Sequence, residues 1–166
     1  MAGEEPVHLV ELFPDSTAAG DALRARGWTV AVAESCTGGL LGAALTAVPG
    51  SSGYVRGDVI AYDNTVKTQL LGVDAGLLDS HGAVSEEVAT AMAQGARRRL
   101  EADVGVGITG VAGPGTEEGG KPAGLVYITV VSPTGERVVR LADDLGREGN
   151  RAVAVAAALR LLVELG

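Results

Sequence analysis

Residues 33–39 read Ala-Glu-Ser-Cys-Thr-Gly-Gly, and the segments on either side of this stretch decide the fold. An apolar, β-branched run, Trp28 to Val32, precedes it, and a run with helical spacing, Leu40 to Val48, follows it. This order predicts a buried strand, a tight polar turn that contains Ser35, and then a helix. Backbone N–H groups at the start of a helix point outward and suit an anion or an oxyanion. The stretch therefore predicts either a reactive serine or a capped turn.

The composition indicates one well-packed domain and argues against several classes of protein. Of the 166 residues, 46% are hydrophobic but only 3% are aromatic, so we expect a core of Ala, Val, Leu and Ile. We expect one domain at residues 8–166 after a flexible N-terminus at residues 1–7. The net charge of −8, without a basic stripe, argues against a nucleic-acid partner. The single cysteine, Cys36, leaves no intrachain disulfide and no thiolate cluster for zinc.

Predicted strands alternate with predicted helices along the chain, which is typical of an α/β fold. The strands are expected at residues 28–33, 55–62, 104–108, 125–131 and 136–141. Helices are expected at residues 14–26, 40–48, 64–71 with Asn64 as the cap, and from 85 to 100 or 101. A last helix is expected to be capped near Asn150 and to turn five residues inward: Val153, Ala156, Ala157, Leu159 and Leu162. The pattern predicts a single three-layer α/β/α domain with a mainly parallel or mixed sheet, helices on both faces, and a C-terminal hairpin plus helix. Residues 72–84 and the glycine-rich residues 110–124 are predicted to form loops.

Two stretches match phosphate-binding patterns, and their contexts argue against both. Gly105-Val-Gly107-Ile-Thr-Gly110 fits G-x-G-x-x-G but lies inside a predicted strand, whereas a dinucleotide site needs a helix to begin there. The stretch from Gly115 to Lys121 resembles a Walker loop but is followed by Pro122, where a hydroxyl should meet magnesium. We therefore expect neither site.

A serine nucleophile needs a base, and the sequence favours a lysine. The two histidines, His8 and His81, are not placed for a Ser-His-Asp triad or for a metal site, so we expect no metal. Lys67 follows the second predicted strand, near the sheet edge where ligand crevices form in parallel α/β folds. It would act as a base only if burial kept it neutral, and a solvated lysine on the helix surface is the alternative. Cys36 is better explained as a small core residue than as the nucleophile.

Six motifs occur in the order found in one protein family. They are Ala33-Glu-Ser-Cys-Thr-Gly-Gly-Leu40, Pro49-Gly-Ser-Ser52, Tyr62-Asp-Asn-Thr-Val-Lys67, Leu70-Leu-Gly-Val73, Gly82-Ala-Val-Ser85, and Thr109-Gly-Val-Ala-Gly-Pro114 with Lys121-Pro122. The chain resembles, over about residues 8 to 165, the CinA C-terminal domain family, the bacterial nicotinamide mononucleotide deamidases. The resemblance implies hydrolysis of the carboxamide of nicotinamide mononucleotide to nicotinate mononucleotide and ammonia.

The resemblance also implies roles for individual residues. Ser35 would be the nucleophile and Lys67 the general base, with Tyr62 assisting. The N–H groups of the helix start would hold the oxyanion; these belong to Thr37, Gly38 and Gly39. The implied pocket residues, each of which also suits an ordinary turn, are Ser52, Thr109 and Gly110. The segment before the last helix, residues 146–151, offers two arginines for the substrate phosphate, Arg147 first and Arg151 second.

The expected partner is a small-molecule nucleotide substrate, with no cofactor, no nucleic acid and no membrane. The N-terminus lacks a signal-peptide pattern and no apolar run is long enough to span a bilayer, so we expect a cytoplasmic protein. A homodimer is expected, because small α/β enzymes often form one. The alternative from another class is a non-catalytic nucleotide-binding or competence-related interaction domain.

Overall fold

The computed structural model describes residues 3–117 and 119–165, which form a five-stranded sheet flanked by helices. The strands are β1 (Val30–Glu34), β2 (Val55–Ile60), β3 (Val104–Gly110), β4 (Val126–Ser132) and β5 (Gly135–Leu141). The helices are α1 (Leu9–Leu12), α2 (Asp15–Arg26), α3 (Leu40–Thr46), α4 (Asn64–Leu71), α5 (Ala75–His81), α6 (Glu86–Arg99) and α7 (Gly146–Val163). Residues 3–8 carry no regular secondary structure, whereas residues 1 and 2 of the expected flexible N-terminus lie outside the described part.

The sheet is mixed, with the strand order β2-β1-β3-β4-β5. β2, β1 and β3 are parallel, whereas β3–β4 and β4–β5 are antiparallel, and the last pair is the predicted C-terminal hairpin. Helices α2, α3 and α7 pack together on one face, and α4 and α5 pack with α6 on the other. The predicted three-layer α/β/α domain is confirmed. The carboxyl ends of the three parallel strands lie together at one edge of the sheet, and the candidate active site lies at that edge.

Side-chain alternation along β1 divides the core between the two faces of the sheet. Val30 and Val32 belong to the cluster shared with α2, α3 and α7, whereas Ala31 and Ala33 belong to the cluster shared with α4 and α6. Because successive strand residues point to opposite faces, Glu34 points to the α3 side. Its carboxylate accepts the backbone N–H of Leu41 in α3.

Glycines in β3 allow α6 to approach the sheet closely. A Cβ atom at Gly105 would collide with the carbonyl oxygen of Ala93, and one at Gly107 would collide with that of Ala89. The glycines of the G-x-G-x-x-G match therefore serve helix–sheet packing within a strand. This geometry agrees with the interpretation that the match is not a dinucleotide site.

The bounds predicted for α4 are confirmed, whereas its capping residue and the predicted loop at residues 72–84 need correction. Asp63, rather than Asn64, caps α4, because its side chain accepts the N–H of Thr65. Residues 75–81 form α5 instead of a loop, since the carboxylate of Asp74 caps the N–H groups of Gly76 and Leu77. A short helix with few buried residues leaves little apolar pattern in the sequence.

The last helix also differs from its prediction. α7 starts at Gly146, and Asn150 is a buried residue inside it rather than its cap. Three of the five residues expected on its buried face are only partly buried: Val153, Ala156 and Ala157. Leu159 and Leu162 are buried as predicted, together with Ala154, Val155, Ala158 and Leu161.

Candidate active site

A cleft of about 270 Å³ lies at the edge where the three parallel strands end. Ser35 directly follows β1, the loop after β2 leads to α4, and Thr109 lies at the end of β3. The convergence of strand ends explains why residues far apart in sequence meet here. Six of the predicted site residues line the cleft: Ser35, Tyr62, Lys67, Thr109, Gly110 and Arg147.

The turn after β1 is shaped by two successive glycines with left-handed backbones. Gly38 has φ +60° and Gly39 has φ +99°, a region that residues with a Cβ rarely adopt. The N–H of Ser35 donates to the carbonyl oxygen of Ile108 at 2.9 Å, and the N–H of Gly38 donates to that of Ser35 at 3.0 Å. Ser35 is therefore held at the cleft wall by β3 and by its own turn.

The expected oxyanion donors are only partly available. The N–H of Gly38 is already used by Ser35, so the expectation that all three residues donate is wrong for Gly38. The N–H groups of Thr37 and Gly39 donate to no acceptor within residues 3–117 and 119–165. The Thr37 side chain is fully buried, and none of the three residues lines the cleft directly. Thr37, Gly38 and Gly39 are thus outside the lining of the cleft, and only the N–H groups of Thr37 and Gly39 are left without an acceptor among the described residues.

Lys67 is almost completely buried, with 1% of its surface exposed. Its Nζ donates to the carbonyl oxygen of Tyr62 at 3.2 Å and to Oδ1 of Asn64 at 3.5 Å. Burial lowers the pKa of Lys67 below its ordinary value, although the carboxylate of Asp63 opposes this effect. The alternative of a solvated surface lysine is thus wrong. Ser35 and Lys67 line the same cleft without a direct hydrogen bond between them.

Arg147 and Tyr62 meet at the mouth of the cleft. The guanidinium of Arg147 donates to the Tyr62 hydroxyl at 3.2 Å and to the carbonyl oxygen of Gly113 at 2.7 Å. The Tyr62 side chain is exposed, whereas its backbone carbonyl holds Lys67 inside. Tyr62 therefore connects the buried lysine to the arginine at the surface.

Arg151 lies one helical turn after Arg147 but outside the cleft lining. It donates to the carbonyl oxygen of Thr37 at 3.2 Å and forms an ion pair with Glu148 at 3.4 Å. Between the two candidates for an anion, the structure favours Arg147, because it alone lines the cleft. Arg151 instead connects α7 to the turn of residues 35–39.

Cys36 and Thr109 contribute to the wall but not as free reactive groups. Burial raises the pKa of the Cys36 thiol to about 11, so it stays protonated at neutral pH. The Thr109 hydroxyl donates to the carbonyl oxygen of Ala83 at 2.7 Å. Asn64 and Glu117 also line the cleft and were not anticipated from the sequence. Asn64 lies between the motif residues Tyr62 and Lys67, which is the only signal that could have found it.

Ser52 lies away from the cleft, contrary to the expectation. It is exposed in the 3-10 turn Ser51–Gly53, between α3 and the start of β2. Because Val55 pairs with Val30 at the start of β1, this turn lies at the opposite edge of the sheet. The loop composition suggested a pocket, but the direction of the strand that follows decides its side.

The described residues hold neither a metal-ligand cluster nor a membrane-spanning helix. They contain no group of three or more histidine, cysteine, aspartate or glutamate side chains placed to hold a metal ion. None of the helices over residues 3–117 and 119–165 has the length and apolar character needed to cross a membrane.

The chain is similar to proteins of one family. A model of the CinA C-terminal domain matches residues 15–165. A CinA-like protein of Gloeobacter violaceus is 54% identical over 138 residues, which cover 82% of this chain and 32% of that protein. A CinA-like protein of Synechocystis is 53% identical over 145 residues, covering 84% of this chain and 34% of that protein. The chain thus spans about one third of the length of these relatives.

Solved structures show the same similarity in three dimensions. The competence/damage inducible protein CihA from Agrobacterium tumefaciens superposes with a TM-score of 0.85 at 36% identity, covering 97% of each chain. A competence-damaged protein (CinA) superfamily protein from Escherichia coli gives a TM-score of 0.90 at 31% identity, covering 98% of this chain and 95% of the other.

Proposed function

Because the chain belongs to the CinA C-terminal domain family, we propose that it hydrolyses the carboxamide of nicotinamide mononucleotide to nicotinate mononucleotide and ammonia. One observation carries the proposal: a buried lysine with a lowered pKa shares a cleft with a serine at the end of a parallel strand. A site that only binds a nucleotide would need neither group. The reaction would belong to pyridine nucleotide salvage.

In the proposed mechanism, the hydroxyl oxygen of Ser35 attacks the amide carbon while neutral Lys67 takes the hydroxyl proton. The resulting tetrahedral intermediate carries a negative oxygen. It collapses with cleavage of the C–N bond, and Lys67 returns the proton to the leaving nitrogen, so ammonia departs. Water then attacks the ester on Ser35, Lys67 takes the water proton, and Ser35 regains it as the acid product leaves.

The negative oxygen of the intermediate needs hydrogen-bond donors. The N–H groups of Thr37 and Gly39 support this role, since both lack an acceptor within the described chain and follow Ser35 closely. One such donor is typically worth about 3–4 kcal/mol of transition-state stabilisation. Catalytic hydrogen bonds are often long in the free enzyme and tighten when the substrate binds. In this proposal, Ser35 and Lys67 therefore form their hydrogen bond only in the complex with the substrate.

The substrate phosphate is assigned to Arg147. Its guanidinium lies at the mouth of the cleft and is exposed, so that it can exchange its contacts with Tyr62 and Gly113 for phosphate oxygens. Arginine suits this role because its planar fork binds phosphate through two parallel hydrogen bonds. Arg147 compensates locally for the acidic net charge of the chain.

A second candidate is a non-catalytic or competence-related interaction domain. It is favoured by the names of the structural neighbours, which describe competence- or damage-inducible proteins rather than an enzyme. This candidate keeps the cleft as a nucleotide-binding site without turnover. The two candidates differ in one measurable product, ammonia.

The test is incubation of the purified protein with nicotinamide mononucleotide, with ammonia and nicotinate mononucleotide both quantified. We expect the wild type to release ammonia and Ser35→Ala to release none. The control Ser80→Ala, which changes an exposed serine of α5, should release ammonia like the wild type. Binding without release by the wild type would favour the second candidate. Equal turnover by Ser35→Ala would leave the activity but contradict the mechanism.

A further inference from the structure

Glu34 is fully buried beneath the first turn of α3. Its two carboxylate oxygens accept the backbone N–H groups of Leu41 at 3.0 Å and of Gly42 at 3.1 Å. Its own carbonyl oxygen accepts the N–H of Ala61 at 2.8 Å, in the segment that leads to Tyr62. Glu34, which directly precedes Ser35, therefore connects the end of β1 to the start of α3 and to the loop after β2.

A second carboxyl group, that of Asp58 on β2, reaches the same place. β2 pairs with β1 in parallel, with Asp58 opposite Val32 and Ile60 opposite Glu34, so the two carboxyl side chains share the α3 face. A Cβ atom at Gly42 would collide with the Asp58 carboxyl group, which shows how closely α3 packs on it. Oδ1 of Asp58 is buried and has no hydrogen-bond partner among the described residues.

Two carboxyl groups in one buried place are not both ionised at low cost. Glu34 already accepts two N–H groups, which favours its carboxylate form. A protonated Asp58 carboxyl group would donate a hydrogen bond to the carboxylate of Glu34, and its buried oxygen would then no longer be unpaired. The pKa of Asp58 is raised to about 9, first by burial and then by the neighbouring carboxyl group of Glu34 and its charge, whereas the N–H of Gly42 opposes the shift.

The other charged groups of the packed elements do not neutralise this pair. α3 contains no titratable side chain, and neither does β3. Arg56, on the same strand as Asp58, donates through Nε to the carbonyl oxygen of Leu100. Arg151 of α7 is engaged by Thr37 and Glu148, and the Cys36 thiol stays protonated. The proton is thus the remaining source of neutralisation.

We propose that Glu34 and Asp58 share one proton beneath α3 and act together as positioning residues for the turn that carries Ser35. The positioning role rests on the proposed function, because it requires Ser35 to be the nucleophile. Glu34 uses the N–H groups of Leu41 and Gly42 and thereby fixes the helix start. The N–H groups of Thr37 and Gly39, one turn earlier, are left for the oxyanion.

The test compares Asp58→Asn, which keeps a donor toward Glu34, with Asp58→Leu, which does not. Asp103→Asn is the matched control, because Asp103 also accepts backbone and hydroxyl donors, but from Thr29 before the start of β1. Infrared spectroscopy at pH 7 should show the carbonyl stretch of a protonated carboxylic acid in the wild type and in Asp103→Asn. The band should be absent in Asp58→Asn. A wild type without this band would overturn the shared proton.

Hydrogen exchange and kinetics test the positioning. Asp58→Leu should exchange the amides of Leu41 and Gly42 at least about tenfold faster than the wild type, whereas Asp58→Asn should stay near it. For nicotinamide mononucleotide, kcat should fall at least about tenfold in Asp58→Leu with little change in KM, and Asp58→Asn should restore it. Unchanged exchange and kcat in Asp58→Leu would overturn the positioning role.

Stability against pH supplies a readout that needs no activity. The folded pKa of Asp58 lies above its unfolded value of 3.8, so its stabilising effect is complete below about pH 4 and is lost as pH rises through about 9. The free energy of unfolding should decline over this interval more steeply in the wild type than in Asp58→Asn. Equal slopes would contradict the shared proton. If the wild type releases no ammonia, the proposed function is wrong. The infrared, hydrogen-exchange and stability experiments still test the shared proton in that case, because none of them needs activity.

Discussion

Arg147 in α7 donates a hydrogen bond to the hydroxyl of Tyr62, 85 positions earlier in the chain, at 3.2 Å. The contact joins two residues of the cleft lining, and the buried Lys67 belongs to the same lining. Tyr62 in turn accepts the Lys67 ammonium through its backbone carbonyl oxygen. Tyr62 therefore contacts both the exposed guanidinium of Arg147 and the buried ammonium of Lys67.

Arg147→Ala should weaken the binding of nicotinamide mononucleotide. A lost charge-assisted hydrogen bond costs about 1.5–3 kcal/mol, so KM should rise roughly ten- to hundredfold with kcat less affected. Nicotinamide riboside, which lacks the phosphate, should be processed equally by wild type and variant. Steady-state kinetics on both substrates measures this. An equal loss on the riboside would contradict phosphate recognition by Arg147.

Lys67→Arg should lose turnover by about 10²–10⁴-fold, because arginine stays protonated and is no general base. Lys121→Arg is the control, since the Lys121 ammonium donates to the carbonyl oxygens of His81 and Val84 and arginine keeps the donors. Ammonia release is the measurement. A fully active Lys67→Arg variant would exclude this lysine as the base.

The pH dependence follows from the direction of the Lys67 shift. Burial lowers its pKa, so the neutral base forms below the ordinary value of 10.5. The rate should rise with pH through that lowered pKa. Stability should rise too, because between the folded pKa and 10.5 the unfolded state binds more protons at this residue. Parallel pH series of kcat/KM and of urea unfolding check both. A Lys67→Met variant that still shows the rise in stability would assign it to another group.

Gly39→Ala should destabilise the turn of residues 35–39. Its φ of +99° disfavours a Cβ atom, and that atom would press on Cδ1 of Ile60. The cost should be about 1–3 kcal/mol in the free energy of unfolding, and kcat should fall as well. Gly53→Ala serves as the control, because space is open there and no positive φ is required. Chemical denaturation measures the difference, and equal stabilities would show that the turn tolerates a side chain.

Cys36→Ala should retain activity within about threefold, because the buried thiol is protonated at neutral pH and serves as packing. Thiol-specific alkylation of the wild type under native conditions should likewise be slow. Rapid alkylation accompanied by loss of ammonia release would indicate that Cys36 is reactive in the cleft.

Periodicity and turn chemistry allowed much of the fold to be predicted, and six of the ten expected site residues line the cleft. The buried strand before Ser35, the helix after it and the return to a strand at residue 55 are local patterns. Their alternation implies parallel strands, whose carboxyl ends meet at one edge. Ser35, Thr109 and the start of α4 therefore belong together from sequence alone. Neither α5 nor the start of α7 was predicted correctly, since side chains of Asp74 and Asn150 decide them in context.

The sequence by itself thus determined the α/β class, the serine turn and the family resemblance, because these depend on residue order and local conformation. Only the tertiary structure decided that Lys67 is buried, that Arg147 rather than Arg151 faces the cleft, and that Ser52 lies at the opposite edge. The placement of Glu34 and Asp58 on the same face of the sheet also depends on it, since strand register sets that placement. Burial and proximity across the sheet are properties of the packed chain, and they set the charge states on which the chemistry depends.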